Sequence, residues 1–416
     1  MRHPQYLKIE DYDYILPQEK IARYPLSERD SSRLLVWRSG QPMVLQYKDI
    51  AGCLPQDSLV VFNQTKVVNA RLFFRKSTGG RIEIFCLEPA EQYPDIMTGM
   101  QQQVEVYWKC LVGGASKWKN DEAVSCASND DRLQLTASIH RQLSDGYEIH
   151  FRWNSSLTFA EVLHLAGQIP IPPYLNRAPE AKDTETYQTI FASEAGSVAA
   201  PTAALHFTPA ILSSLAGRNI RHTKVTLHVG AGTFKPVKSA TMAGHEMHPE
   251  FIEVSIDFLR QLLYQLENKR PVIAVGTTSV RTLESLFWIG QQIGHHKIPD
   301  FGKISVPQWL PYECEDPLLA PADAIRQVIG YLEARSQSRL ITRTQIIIAP
   351  PYDFKIVNGI VTNFHQPQST LLLLIAAFLG PEWRTMYDFA LQNHFRFLSY
   401  GDGCLLMKHT AQPDHT

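Results

Sequence analysis

The hydrophobic periodicity of the chain changes near residue 67 and again near residue 155, and this switch constrains the fold more than any other feature. Between these positions apolar and polar residues alternate in short runs such as RIEIFCLE, QVEVYWKCLV and DGYEIHFRW, separated by Gly, Asn and Asp. Short strands of period two at this spacing predict a small barrel or sandwich. We therefore predict an all-β barrel domain over residues 67–155, inserted into a chain of another fold class.

Strands and helices alternate along the rest of the chain. The apolar runs LVVFN at 59–63, KVTLHV at 224–229, PVIAVG at 271–276, IIIA at 346–349 and GIVTNF at 359–364 are predicted to be buried strands. Helix-start signals lie between them, at Thr208 before Pro209 and at Ser369 or Thr370 before LLLLIAAFLG. This alternation predicts an α/β domain over residues 1–66 and 156–416, with a mostly parallel sheet and helices on its faces. Within it, residues 303–345 are expected to form an insertion that ends in a helix near 322–334.

Composition narrows the class of protein. The chain of 416 residues has a net charge of −1, so a polyanion would have to meet a local basic patch rather than a global field. The six cysteines are scattered and form no C-x-x-C pair, so we expect no structural zinc, no disulfide framework and a cytoplasmic location. The apolar run at 371–379 is too short to span a bilayer, and no apolar secretory segment is visible near residue 1.

Two glycine-rich segments place histidines where regular elements meet loops. GSVAAPTAALHFT at 196–208 contains Thr202 and His206, and TLHVGAGTF at 226–234 contains His228. Glycines allow a backbone to approach a ligand closely, and sites on α/β scaffolds lie at such boundaries. The candidate ligand contacts in the second segment are Gly230, Gly232 and Thr233.

The segment VGTTSVRT at 275–282 predicts a strand, one glycine and the start of a helix. Free N–H groups at Gly276, Thr277, Thr278 and Ser279 would favour a carboxylate or phosphate, and Arg281 could clamp a carboxylate. The spacing fits neither a Walker A motif nor G-x-G-x-x-G, so it does not indicate ATP or NAD. An ordinary capped helix is the alternative.

Three further segments carry candidate polar groups. His245 begins HEMHPE and is a candidate for acid–base chemistry; metal binding lacks a third ligand at a convincing spacing, and a structural role stays open. Asn363 and His365 lie in TNFHQPQST, where a strand ends, and a plain turn is the alternative. Tyr400 and Asp402 lie in FRFLSYGDG and suit a bound cation or an Asx-type turn.

A basic segment opens the predicted barrel. It contributes Arg71, Arg75, Lys76 and Arg81, with Arg23, Arg29 and Arg33 upstream. These cations could contact phosphates, although a solvated hairpin surface is an equal alternative. Because no G-x-S-x-G elbow is present, a hydrolase is disfavoured.

Taken together, the segments resemble the S-adenosylmethionine:tRNA ribosyltransferase-isomerase family of queuosine biosynthesis. The likeness runs along most of the chain, in the family's order, through DYDYILPQEKIARYPLSERDSSRLLV, FNQTKVVNARLF, TGGRIEIF, IPIPPYLNR, TYQTIFASEAGSVAAPTAALHFT, TLHVGAGTFKPV, HEMHPE, VIAVGTTSVRTLES, TNFHQPQSTLLLLIAAF and FRFLSYGD. The chain departs from the family's usual residues at Gln64, Ala204, Pro351, Asn358, Gln368 and Gly403.

The resemblance implies an α/β domain with an inserted β-barrel, and a reaction. The ribosyl part of S-adenosylmethionine moves onto 7-aminomethyl-7-deazaguanine in the wobble position of a tRNA with a GUN anticodon. It is isomerised there, giving epoxyqueuosine-tRNA with release of adenine and methionine. S-adenosylmethionine is a co-substrate, and neither a metal nor a protein partner is implied.

On this hypothesis His206, His228 and His245 share the proton transfers, and Asp402 faces positive charge. The substrate would be held by Thr277, Thr278, Ser279 and Arg281, with Thr202, Gly230, Gly232, Thr233, Gly276, Asn363, His365 and Tyr400 as further contacts. Two alternatives stay open: a diverged relative that uses the same donor on another acceptor, and a catalytically silent tRNA-binding module.

Overall fold

A computed structural model describes residues 3–118, 122–126, 133–230, 237, 239–297 and 304–408. The strands are β1 Arg33–Arg38, β2 Gln41–Gln46, β3 Leu59–Asn63, β4 Thr65–Val67, β5 Arg71–Arg75, β6 Arg81–Pro89, β7 Glu105–Gly113, β8 Val124–Cys126, β9 Leu135–Gln142, β10 Tyr147–Trp153, β11 Glu194–Ser197, β12 Arg221–His228, β13 Glu250–Ser255, β14 Val272–Val275, β15 Ser305–Val306, β16 Arg339–Thr344, β17 Gly359–Asn363 and β18 Gly403–Met407. The helices are α1 Ile96–Met100, α2 Phe159–Ala166, α3 Asp183–Thr186, α4 Pro209–Ala216, α5 Ile256–Glu267, α6 Thr277–Gly294, α7 Leu310–Glu313, α8 Pro321–Glu333, α9 Thr370–Leu379 and α10 Glu382–Gln392.

Ten strands form one mixed sheet in the order β15-β16-β13-β12-β3-β14-β17-β18-β1-β2. Its centre is parallel, because β12 pairs with β3, β3 with β14 and β14 with β17 in the same direction. The helix α6 packs on this centre and is buried along most of its length. The expected α/β class with a mostly parallel sheet is confirmed.

Six strands close into an antiparallel barrel in the order β10-β7-β6-β5-β8-β9. One face of each long strand fills the interior: Val106, Trp108 and Cys110 of β7 lie against Ile149 and Phe151 of β10. The period-two pattern therefore predicted the barrel correctly. The proposed domain boundaries at 67 and 155 stay a prediction.

The helix-start signals act as expected. Thr208 accepts a hydrogen bond from the Ile211 amide at the start of α4, where Pro209 occupies the first turn. Ser369 accepts one from the Leu372 amide at the start of α9, which ends at Gly380. Both caps satisfy amides that a helix end leaves unpaired, so these boundaries could be predicted from local chemistry.

The prediction of a strand at 346–349 is wrong. The preceding residues form β16, and the IIIA segment makes no ladder. The Ile346 amide donates to the Thr344 hydroxyl, and the Ala349 amide donates to the Tyr312 hydroxyl. The Ile347 amide donates to the Gln308 carbonyl. An apolar run shows burial, but here two hydroxyls and a loop carbonyl, rather than a neighbouring strand, accept from these amides.

Residues 304–345 contribute a strand and a helix to the α/β part of the protein. The strand β16 extends the ten-stranded sheet next to β13, and α8 packs on α5 and α6. The helix expected near 322–334 is present as α8, whereas β16 was not predicted.

Among the residues that the structure describes, no helix is both long enough and apolar enough to cross a bilayer.

Candidate active site

A cleft opens where β12, β14 and β17 end and their following loops begin. The parallel centre of the sheet brings these carboxyl ends to one edge, the usual place for a ligand in an open α/β fold. Of the residues predicted from the sequence, the cleft is lined by Thr202, Gly276, Thr277, Thr278, Asn363 and His365. Tyr174, Tyr187, Val229, Gln366, Ser369 and Ser399 are among its other lining residues.

Asn363 ends β17 and is 3% exposed. Its Oδ1 accepts a hydrogen bond of 2.7 Å from the Thr202 hydroxyl, which fixes the amide. The other end of that amide, Nδ2, is buried and has no hydrogen-bond partner in the part of the chain that the structure describes. A buried donor without a partner is costly, so this atom at the cleft is suited to a ligand acceptor.

The start of α6 forms a second polar edge of the cleft. Gly276 has φ of +87°, which a residue with a side chain rarely adopts, and it leads directly into Thr277. No side chain caps this helix among the described residues. Thr278 Oγ1 is buried there and likewise lacks a partner within the described ranges. Open amides and a free hydroxyl at a helix N-terminus suit a carboxylate or a sugar hydroxyl.

His365 follows β17, and its backbone is held firmly. Its amide donates to the Tyr387 hydroxyl at 3.0 Å, and its carbonyl accepts from the Tyr14 hydroxyl. The ring Nε2 lies 2.9 Å from the Thr362 hydroxyl. Burial lowers the pKa of His365 to about 4, because the charged imidazolium is poorly solvated there. The ring is therefore neutral at physiological pH and can accept a proton.

His206 lies outside the cleft, in a small side chamber of about 10 Å³, and Ser399 lines both spaces. Its ring stacks on Tyr47 at 4.3 Å, and Nδ1 donates to the Arg29 carbonyl at 3.3 Å. The opposite nitrogen, Nε2, is buried without a partner among the described residues. Desolvation lowers the pKa of His206 to about 4.

His228 ends β12, next to the lining residue Val229. Its Nδ1 lies 3.3 Å from the Thr65 hydroxyl, and burial lowers its pKa to about 4. Gly230 follows Val229 but does not line the cleft. Gly232 and Thr233 lie outside the described residues.

The remaining predicted site residues do not line the cleft. His245 is half-buried, and desolvation lowers its pKa. The Asp402 carboxylate accepts from the amides of Arg33 and Arg396, and the Arg396 guanidinium lies 3.6 Å away. Tyr400 borders the side chamber and donates to Asp183.

Ser279 and Arg281 are among the predicted site residues that do not line the cleft. The Ser279 hydroxyl donates to the Val275 carbonyl at 2.8 Å. The Arg281 guanidinium pairs with Glu250, and its Nε donates to the Ile346 carbonyl at 3.3 Å. The substrate roles assigned to these two residues therefore stay predictions, without support from the cleft geometry.

The basic residues of the barrel are mostly engaged within the protein. Arg71 pairs with Glu83 at 2.9 Å, and Lys76 pairs with Glu122 at 2.9 Å. Arg81 lies 4.0 Å from the centre of the Phe73 ring. Arg75 is exposed, and among the described residues its side chain forms no ion pair or hydrogen bond. Their binding to tRNA stays a prediction.

Sequence reasoning missed Tyr174, Ser399 and Gln366 as cleft residues. The Tyr174 and Ser399 hydroxyls share a hydrogen bond of 2.5 Å. Burial raises the pKa of Tyr174 to about 12. Gln366 directly follows His365, so its position after a strand end was the available signal. Tyr174 lies far from any predicted strand end, and the available signal was its place in the segment IPIPPYLNR, which shares in the family resemblance.

One departure from the family pattern has a clear structural setting. A Cβ atom at Gly403 would lie 2.0 Å from the Tyr47 hydroxyl and 2.8 Å from the Thr362 carbonyl. The Tyr47 hydroxyl thus occupies the space of a side chain at residue 403. Tyr47 also stacks on His206, so this exchange lies beside the side chamber.

No group of three or more His, Cys, Asp or Glu side chains within the described ranges is arranged to hold a metal ion. The expectation that the reaction needs no metal stays a prediction.

The ten-stranded sheet with a cleft at its edge, together with the closed six-stranded barrel, defines the class of this protein as α/β. A family model described as queuosine biosynthesis protein matches residues 9–406. The chain belongs to this family.

Named relatives are similar over nearly their whole length. An S-adenosylmethionine:tRNA ribosyltransferase-isomerase of Trichlorobacter lovleyi is 35% identical over 402 residues, covering 96% of this chain and 99% of the relative. One of the same name from Anaeromyxobacter dehalogenans is 35% identical over 406 residues, covering 97% and 100%. The crystal structure of an S-adenosylmethionine tRNA ribosyltransferase from Thermotoga maritima is 27% identical, with a TM-score of 0.46, and covers 95% of this chain and 100% of that one.

Proposed function

We propose that this enzyme of queuosine biosynthesis transfers the ribosyl moiety of S-adenosylmethionine to 7-aminomethyl-7-deazaguanine in the wobble position of tRNA and isomerises it. The products are epoxyqueuosine-tRNA, adenine and methionine. The observation that carries the proposal is the family match over residues 9–406, together with relatives of that name at 35% identity over nearly full length.

The cleft offers suitable partners for the donor. The open amides at the start of α6 and the Thr278 hydroxyl would hold the methionine carboxylate or the ribose hydroxyls. The free Nδ2 of Asn363 would donate to a ribose oxygen or to the adenine ring. Tyr174 and Tyr187 also line the cleft, and an aromatic ring attracts a sulfonium cation that meets its face.

His365 is the proposed base. The positive sulfur acidifies the neighbouring C5′ hydrogen, and a neutral imidazole at the cleft can accept that proton. Adenine leaves more easily when its ring is protonated, and the imidazolium formed at His365 can pass its proton to that ring. His206, His228, His245 and Asp402 would then act by positioning.

The test is incubation of the purified chain with labelled S-adenosylmethionine and a GUN-anticodon tRNA that carries the 7-aminomethyl-7-deazaguanine base. Epoxyqueuosine in the digested tRNA, with matching release of adenine and methionine, is the expected result. Release that occurs only with another acceptor would replace the proposal with the diverged-relative alternative. Tight tRNA binding without release would indicate a silent binding module.

A further inference from the structure

A second depression, the groove, lies directly beside the cleft. Its volume is about 600 Å³, and it shares two lining residues with the cleft, Tyr174 and Gln366. The side chamber around His206 also adjoins the cleft, but it measures only about 10 Å³. Of these two neighbouring spaces, the groove has room for a bulky acceptor to reach the donor.

Two irregular segments form the walls of the groove. The first contributes Leu16, Gln18, Ile21 and Arg23, and the second contributes Pro173 and Asn176. Pro173 begins a 3₁₀ turn that ends at Leu175, and Asn176 follows it in the left-handed conformation with φ of 48°. Irregular segments that a sheet scaffold positions are common places for ligand recognition.

Apart from Tyr174, whose hydroxyl is hydrogen-bonded to Ser399, the polar side chains of the groove have no partner among the residues that the structure describes. Among the described residues, Gln18, Arg23, Asn176 and Gln366 make no side-chain hydrogen bond or ion pair. Arg23 uses only its carbonyl, which accepts from Arg177. Four uncommitted polar side chains around one depression offer donors and acceptors to a ligand without breaking internal bonds.

The carboxylates in the region of Arg23 already have other partners, so the Arg23 guanidinium is available to a ligand. Asp183 is held by the Arg177 guanidinium at 2.6 Å, and Glu180 accepts from the Tyr24 hydroxyl at 2.6 Å. The Arg177 guanidinium also lies 4.4 Å from the centre of the half-exposed Tyr24 ring. Single-stranded RNA offers phosphates and unstacked bases. Arg23 suits the phosphates, and the Tyr24 ring beside the groove suits a base.

We propose that the groove receives the unpaired acceptor nucleotide of the tRNA anticodon loop and guides its base to the cleft. Arg23 contacts the phosphate backbone, and the Gln366 amide contacts an edge of the base where the groove meets the cleft. This inference rests on the proposed function, since it assumes an RNA acceptor for the donor in the cleft.

The cation of the groove and the cations of the basic barrel segment differ in whether they form ion pairs within the protein. Arg71 and Lys76 are paired with Glu83 and Glu122, so a phosphate would have to compete with a carboxylate. Arg23 has no such competitor among the described residues. The groove also adjoins the cleft directly, as the acceptor requires.

The test measures binding of an RNA hairpin with the anticodon loop of a GUN tRNA, carrying the deazaguanine base, to the full chain. Arg23→Glu is expected to weaken binding at least about tenfold and to reduce the salt dependence by about one ion, because one phosphate contact is lost. Arg23→Lys should keep most of the affinity. Affinity for S-adenosylmethionine should be unchanged in both variants.

Arg218→Glu is the matched control. Arg218 is exposed, and its side chain has no bond to another described residue. It precedes β12 and so lies at the amino ends of the parallel strands, across the sheet from the cleft. The same charge reversal there should leave hairpin affinity unchanged.

Equal hairpin affinity in Arg23→Glu and Arg218→Glu would overturn the groove assignment. The proposed function is judged separately, by product formation in the unaltered chain. If that chain made no epoxyqueuosine but Arg23→Glu alone lost hairpin affinity, the RNA groove would stand and the proposed reaction would fail.

Discussion

The first turn of α6 and the turn around Glu284 use their polar groups in opposite ways. At the first turn Thr278 Oγ1 lacks a partner among the described residues, as does the nearby Asn363 Nδ2. Glu284 is fully buried, and its carboxylate accepts from the amides of Lys355, Ile356 and Val357 and from the Tyr352 hydroxyl. Helix α6 thus carries a hydroxyl without a described partner in its first turn and, further along, a carboxylate whose acceptor positions are all used.

This difference separates groups available to a ligand from groups that hold the fold. A buried polar atom without a partner costs free energy, so it is retained where a ligand completes it. A carboxylate with four donors has no capacity left for a substrate and instead fixes the 352–357 segment against the helix. The predictions below test whether unused atoms govern binding while used atoms govern stability.

The largest expected effect is the loss of folding stability in acid that the three buried histidines of this region cause. Desolvation lowers the pKa values of His206, His228 and His365 to about 4, against an ordinary 6.5. Because the unfolded chain binds these protons first, stability is complete above about pH 6.5 and falls as the pH drops toward about 4. Between pH 7 and 5 the loss should be about 2 kcal/mol for each histidine, or about 6 kcal/mol in all.

Denaturant unfolding at a series of pH values measures this loss. In His365→Asn, the difference in stability between pH 7 and 5 should shrink by about 2 kcal/mol. Glu284→Gln should keep the full histidine contribution, because it removes none of the three imidazoles. A stability curve that is flat from pH 5 to 7 in the unaltered chain would contradict buried neutral histidines.

Glu284→Gln should lower the free energy of unfolding by about 3 kcal/mol, since the amide nitrogen faces donors where an oxygen accepted. The change keeps the shape of the side chain, so the loss reports on hydrogen bonding rather than on a cavity. Denaturant unfolding gives the free energy, and calorimetric binding gives the affinity for S-adenosylmethionine. Reduced affinity in a variant of unchanged stability would break the distinction between the two parts of α6.

The sequence predicted the fold where local chemistry decides it. Period two identified the barrel, and capping residues placed the starts of α4 and α9. The segment at 346–349 shows the limit, because apolar residues indicate burial but do not say whether the backbone pairs with a strand or with side chains.

The site was predictable only to the level of its segments. The sequence placed Asn363, His365 and the start of α6 each at the end of a strand, and the structure brings the three to one cleft because parallel strands have their carboxyl ends at the same edge. Sequence could not show that Arg281 pairs with Glu250, because the two residues meet only through the packing of α6 on the sheet. It could not find Tyr174 for the same reason: the contact with Ser399 joins residues far apart in the chain.

Asn363→Ala should weaken S-adenosylmethionine binding about thirtyfold, or about 2 kcal/mol, because the ligand loses the free Nδ2 donor. It should also cost about 1 kcal/mol of unfolding free energy, because the Thr202 hydroxyl loses its acceptor, Asn363 Oδ1. Asn358→Ala is the control, because Asn358 accepts from the Val272 amide at 2.9 Å and lies outside the cleft. It should lose stability and keep its affinity; the reverse pattern in this pair would refute the assignment of Asn363.

Thr278→Val should have the smallest effect, about fivefold to tenfold weaker S-adenosylmethionine binding, because one neutral hydrogen bond to the ligand is lost. Stability should stay equal or rise slightly, since the variant removes a buried hydroxyl that has no partner among the described residues. Thr282→Val, one turn further, removes a hydroxyl that donates to the Thr278 carbonyl at 2.9 Å. That control should cost about 1 kcal/mol of unfolding free energy and leave binding unchanged. If Thr278→Val instead destabilised the chain without affecting binding, the first turn of α6 would be structural, and the distinction along the helix would have to be abandoned.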